Sequence, residues 1–117
     1  MKFIIFIVGS LLFMECNQKL SLSNDWVKDK YGCFNLRTKE LADSLINKNN
    51  LYSKGEKEFI KVFGNADYTV NNGYYKDMCY YYDSNCNNCE IIKSSDKCVF
   101  IFEFKKDSLF RFYQQCE

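Results

Sequence analysis

No histidine and no proline occur among the 117 residues. Without histidine, the chain lacks the side chain most used as a general base near neutral pH and a common nitrogen ligand of zinc. Without proline, no X-Pro isomer enters its folding. Glycine is sparse, five in all, and neither a phosphate-cradling glycine loop nor a nucleophile-elbow motif is present. Nor does charge of one sign dominate: 16 basic residues face 15 acidic ones, a net of +1. That balance offers no basic patch and argues against a nucleic-acid partner. No Asn-x-Ser/Thr triplet marks a glycosylation acceptor. No apolar run approaches the ~20 residues that a membrane-spanning helix needs. The carboxylates Asp77, Asp83, Glu90, Asp96 and Glu103 are scattered through predicted loops and strand faces, as solvated surface charges are. These absences point away from an enzyme, and no catalytic residue, metal or cofactor is expected.

What is present begins with the first sixteen residues. Met1-Lys2 precedes an apolar run over residues 3–14 and then Cys16. A short positive end followed by roughly 7–15 apolar residues is the layout of a secretory signal peptide. The run Phe-Ile-Ile-Phe-Ile-Val lacks the amphipathic period of a core helix. The reading is a signal peptide over 1–15, a lipidated tether over 16–24, and one domain over 25–117. Cys16, followed by the polar Asn17-Gln18-Lys19, is the candidate lipid attachment. It resembles the cysteine of a bacterial lipoprotein signal, with Glu15 where that signal usually has a small residue. Acyl chains there would hold the domain at a membrane, since each buried CH₂ contributes about 0.8 kcal/mol. The alternatives are ordinary secretion with a free or cross-linked Cys16, and an uncleaved anchor.

Export decides how the other cysteines are read. Seven occur in all, and setting Cys16 aside leaves Cys33, Cys79, Cys86, Cys89, Cys98 and Cys116. An even number in an oxidising compartment reads as disulfide candidates. A three-residue turn at Lys106-Asp107-Ser108 would put Cys98 opposite Cys116, to bond each other or to reach Cys33. The run from Cys79 to Cys98 has a single CxxC knuckle, Cys86-Asn-Asn-Cys89, which is poor zinc spacing. The same pair lies in an Asn/Ser-rich loop between strands, not at the helix N-terminus that redox motifs use.

Periodicity divides the chain in two. Residues 36–47, capped by Asn35, carry a stripe of Leu41, Ala42, Leu45 and Ile46. Residues 54–63 form a second helix with a Ser53/Glu56 capping box and Gly64 at its C-terminal end. From residue 68 the period becomes two. Segments 68–70, 78–82, 98–104 and 109–116 read as strands, the first of them short, and 83–97 as a long polar loop. Eleven Phe, nine Tyr and one Trp supply a core. The predicted class is α+β: two short helices packed on one face of a three-stranded antiparallel sheet, disulfide-stapled. Phe100, Phe102, Phe104, Phe110 and Phe112 form the expected core row.

The segment Ser53-Lys-Gly-Glu-Lys-Glu-Phe-Ile-Lys-Val-Phe-Gly-Asn-Ala-Asp67 resembles the SmpA/OmlA (BamE-like) outer-membrane lipoproteins. In that family a capped helix ends in Leu-Gly-x-Pro; here Phe63-Gly64 fits, with Ala66 in the proline's place. The aromatic strand Tyr80-Tyr81-Tyr82 and the Phe-rich final hairpin look like the family too. The segment Asp25-Trp26 … Asp29-x-x-Gly32-Cys33-x-x-x-Arg37 looks like that of small Bacteroidetes-type lipoproteins. The resemblance implies a non-enzymatic accessory or scaffold role at the outer membrane, beside an envelope protein partner.

If Phe100, Phe102 and Phe104 face the helices, Val99, Ile101 and Glu103 face outward with Arg111 and Tyr113. Ile101, Arg111 and Tyr113 are therefore the candidate binding face, since aromatics and Arg are enriched at protein interfaces. The functional expectation is a lipid-anchored envelope protein with a protein-binding role, at the outer membrane or the periplasmic face. Its alternative is a secreted disulfide-rich inhibitor or effector that binds a target enzyme or receptor.

Overall fold

The computed structural model describes residues 24–117. The predicted signal peptide, Cys16 and residues 17–23 lie outside the described residues. Asn24 opens a one-turn helix, α1 (Asp25–Lys28), by accepting a hydrogen bond from Val27 N–H at 3.2 Å. Its amide also donates to Val62 O at 2.7 Å, which ties this turn to a later helix. The turn places Trp26, fully buried, at the centre of the core.

Helix α2 runs over Lys39–Lys48, with Thr38 Oγ1 accepting from Leu41 N–H. It starts three residues later than predicted, and the reason is local. Asn35 has φ of 59°, and Leu36 N–H and Arg37 N–H donate to the Asp29 carboxylate rather than entering a helix. The predicted stripe holds: Ala42 and Ile46 are buried, and Leu41 and Leu45 pack against the core.

Helix α3 (Glu56–Phe63) departs from the capping-box reading. Gly55 is its N-cap, and Ser53 Oγ instead donates to Asn50 O. The helix N-terminus is capped from far along the chain: Asp107 Oδ1 accepts from Glu56 N–H at 2.9 Å. Gly64 ends the helix at φ of 75°, its N–H bonded to Ile60 O. With ψ of 179° the backbone there is extended at positive φ, a region essentially confined to glycine.

The sheet has four antiparallel strands rather than three. They are β1 (Tyr68–Asn71), β2 (Tyr75–Tyr82), β5 (Cys98–Lys105) and β6 (Ser108–Cys116), in the order β1-β2-β5-β6. The predicted loop 83–97 contains a small hairpin, β3 (Cys86–Asn87) with β4 (Glu90–Ile91). Cys33 bonds Cys86, and Cys98 bonds Cys116. The fold is α+β and disulfide-stapled.

The last hairpin is tighter than expected. Lys106 and Asp107 both have positive φ, and Lys105 pairs with Ser108, so the turn has two residues. A bulge between Glu103 and Phe104 then shifts the register by one, and the two differences cancel: Cys98 still faces Cys116. The bulge also swings Phe110 out of the expected core row, leaving it 53% exposed. Phe100, Phe102 and Phe104 are buried as predicted, and Phe112, half-buried, stacks on Phe102.

The core forms where the helices meet the Phe face. Trp26 packs edge-on against Phe63 and Phe100, each at 5.0 Å, and Phe59 stacks on Phe63 at 4.4 Å. Fully burying a side chain of this size contributes roughly 1.5–3 kcal/mol, so the aromatics account for the docking of α1 and α3, while α2 docks through Ala42 and Ile46.

Candidate binding face

Strand parity puts one set of side chains opposite the helices. Every buried apolar residue of the helices joins the cluster on the Phe side of the sheet. On the other side β1 contributes Tyr68 and Val70, and β2 contributes Tyr75, Asp77, Cys79 and Tyr81. β5 adds Val99, Ile101 and Glu103, and β6 adds Arg111 and Tyr113. Phe110, displaced by the bulge, lies 6.2 Å from the Tyr75 ring.

Two cross-strand rows organise this face. One runs Tyr68, Cys79, Ile101, Tyr113 and the next Val70, Asp77, Glu103, Arg111. Ile101, Arg111 and Tyr113 do share the face, but in different states. Ile101 is only 7% exposed, packed with Cys79, Val99, Tyr81 and Tyr113 in a small second cluster. The expectation that it stands open to solvent is corrected: tall ring neighbours on both sides close over it. Tyr113 is half-buried and Arg111 is exposed, its guanidinium 4.9 Å from the Tyr113 ring.

Asp77, which the sequence reading placed before its strand, sits directly across from Glu103. Glu103 Oε1 accepts from Arg111 Nε at 2.9 Å, while Asp77 Oδ1 is buried without a partner. Burial raises the Asp77 pKa first, and the facing Glu103 raises it further; Arg111 opposes both. The Arg111 pKa is raised through its bond and charge contact with Glu103. Burial pushes up the Tyr113 and Tyr81 hydroxyls as well.

Cys79 is a free, buried thiol, which corrects its reading as a bridging candidate. Central-strand parity points it at the outer face, under Tyr68 and beside Ile101, whereas the bridged cysteines flank the sheet's end. Burial raises its pKa, so it stays a protonated thiol rather than a nucleophile. Cys86 is bonded to Cys33 and so forms no redox pair with Cys89, which is not a free thiol. Among the described residues no cluster of metal-ligating side chains exists, and no helix is long and apolar enough to cross a membrane.

A second charged group lies inside the molecule. Asp29, fully buried, accepts from the backbone N–H groups of Phe34, Leu36 and Arg37. Arg37 donates through Nε to Trp26 O and through NH1 to Tyr81 O and Asp67 Oδ2, the last at 2.8 Å. Asp67 Oδ2 also accepts from Tyr81 N–H. Gly32, at φ of 71°, completes the join: a Cβ there would collide with the backbone of Tyr81 and Tyr82. Within the segment Asp29-x-x-Gly32-Cys33-x-x-x-Arg37, Gly32 and Arg37 fasten the N-terminal segment to the end of β2, Asp29 holds the segment's own backbone, and Cys33 ties it to β3 through Cys86. Apart from the Arg37–Asp67 ion pair, these groups spend their hydrogen bonds on backbone and so hold the fold together.

Comparison with family models, curated proteins and solved structures finds no match to the chain.

Proposed function

We propose that the protein is exported, held at the cell envelope through a lipid on Cys16, and binds a protein partner without catalysing a reaction. The observation that carries this reading is the outer face of the sheet. There Tyr68, Val70, Tyr75, Phe110, Arg111 and Tyr113 remain partly or well exposed around the Asp77–Glu103 pair. Exposed aromatics beside an arginine have the composition of an interface. The leader layout and the disulfides Cys33–Cys86 and Cys98–Cys116 fit an oxidising compartment outside the cytosol. The resemblance to SmpA/OmlA lipoproteins, taken as part of the proposal, suits a scaffold role at the outer membrane.

The test uses the full chain in its native host. It should partition with membranes into detergent, and crosslinking should capture an envelope protein. A double variant, Arg111→Ala with Tyr113→Ala, should keep its circular dichroism spectrum and lose that capture. Recovery of the protein free in the culture medium would replace the anchored reading with the secreted inhibitor. Undiminished capture by the double variant would remove the face from the argument.

A further inference from the structure

Strand β6 closes one side of the sheet, and its free edge is unusually well formed. Among the described residues its backbone hydrogen bonds all run to β5. The phase of that ladder follows from its end. Glu117 N–H donates to Lys97 O at 2.9 Å, which makes those two a hydrogen-bonded pair. The next pair, Cys98 with Cys116, is then a non-bonded one, and its Cα–Cα distance of 4.0 Å agrees. The register is unbroken back to the bulge, so Gln114 and Phe112 also fall in non-bonded pairs. The N–H and C=O groups of Phe112, Gln114 and Cys116 therefore point away from the sheet, evenly spaced along one line.

Sheets normally blunt such an edge with lysine, proline, an inward charge or a very short strand. The opposite edge, β1, follows this rule: it is four residues long. β6 has nine residues and neither lysine, proline nor carboxylate. Its bulge lies toward the turn, clear of residues 112–116. Side chains on both faces of this edge are also unfilled. On the helix side, a groove of about 420 Å³ adjoins Gln114 and is lined by Thr38, Lys39, Glu40, Tyr82 and Asp83. On the outer side, Arg111, the strand's sole charge, donates through Nε to Glu103, its one hydrogen bond among the described residues. Its terminal nitrogens keep the fork geometry that binds carboxylates in pairs.

We propose that β6 accepts a fifth strand from a protein partner. This is an extended segment that pairs with the backbone of Phe112, Gln114 and Cys116, seats one side chain in the groove beside Gln114, and lays an acidic residue against Arg111. The parity is consistent. A residue opposite Gln114 shares its helix-side face, and one opposite Arg111, three positions away, shares the outer face. In this mode main-chain bonds give the affinity and the alternate side chains give the choice of partner. The inference rests on the partner-binding reading above and adds how the partner is held.

The experiment selects short random displayed peptides on the immobilised full chain and measures the winners, labelled, by fluorescence anisotropy. Enriched peptides should alternate in polarity and carry Asp or Glu at one fixed position. Gln114→Pro removes an N–H that the fold does not use, and edge strands tolerate such a proline. It should weaken binding by about tenfold or more, as loss of a backbone bond at the centre of the edge would. Arg111→Ala should weaken acidic peptides and leave their neutralised versions unaffected. Should Gln114→Pro unfold the chain, methylating alternate peptide nitrogens decides: one set should abolish binding and the other leave it intact. Failure to enrich any peptide, or equal binding by Gln114→Pro, overturns the proposal. So does self-association of the wild type that Gln114→Pro abolishes, because the occupant would then be a second copy. Envelope capture that survives Gln114→Pro but not the Arg111/Tyr113 double variant would reject the edge and keep the face.

Discussion

Two groups of one arginine and two carboxylates flank the same sheet and behave in opposite ways. Arg37, Asp29 and Asp67 are sealed inside, the Arg37 and Asp67 side chains 2% and 0% exposed, and are held mostly by backbone N–H and C=O groups. Arg111, Glu103 and Asp77 lie on the outer face, joined only side chain to side chain, with the Arg111 side chain 58% exposed above a buried Glu103 and a half-buried Asp77. A buried charge is tolerated when its partners are fixed by the chain itself. An exposed one adds little to stability and remains available to others. The inner group is therefore a fastener, and the outer one a surface.

Breaking the inner group should have the largest effect. Arg37→Ala leaves Asp67 charged and buried and frees the Trp26 and Tyr81 carbonyls, costing about 3–5 kcal/mol. Urea unfolding measures it, and a loss below about 1 kcal/mol would put this arginine in the same class as Arg111. A smaller effect of opposite sign is expected at Asp77. Its pKa lies above the ordinary 3.8 in the folded chain, so the folded state holds a proton that the unfolded state has released. Stability from this group is full below pH 3.8 and falls as pH rises through the elevated value. Asp77→Asn removes a like charge facing Glu103 and should stabilise at neutral pH by about 0.2–1 kcal/mol. Its melting temperature should lose the wild type's decline across that interval; parallel curves for the two proteins would reject the carboxylate pair. The smallest change belongs to Arg111→Ala, which takes from Glu103 one exposed donor and should cost no more than about 1 kcal/mol in the same denaturation experiment. A larger loss would mean that the outer group fastens as well.

What was legible in the sequence was mostly local or periodic. The α+β class, the Leu41/Ala42/Leu45/Ile46 stripe and Gly64 as a stop follow from spacing alone, whereas Cys98 faces Cys116 as expected only because the shorter turn and the bulge cancel. What escaped depended on partners distant in the chain. The start of α2 is set by Asp29 drawing off the N–H groups of Leu36 and Arg37, and the cap of α3 comes from Asp107. Neither carboxylate announces its donors. Phe110 looked like core because a bulge does not alter the apolar pattern, only its phase. On the site, Ile101, Arg111 and Tyr113 were placed on one face correctly by parity. The packing over Ile101 and the Asp77–Glu103 pairing needed the register of β2 against β5. Cys79 was grouped with the bridged cysteines because a count carries no information about which side of a strand each sulfur occupies.

Trp26 is the chain's single tryptophan, and it lies where α1, α3 and the sheet converge, with the Arg37 guanidinium 5.5 Å from its ring. Its fluorescence thus reads one place only. Emission from a dry, aromatic-lined site should move to longer wavelength when water enters, whether the helices lift away or the Arg37 fastener opens. The molecule carries its own optical gauge of core closure, and the outer face can be altered without touching it.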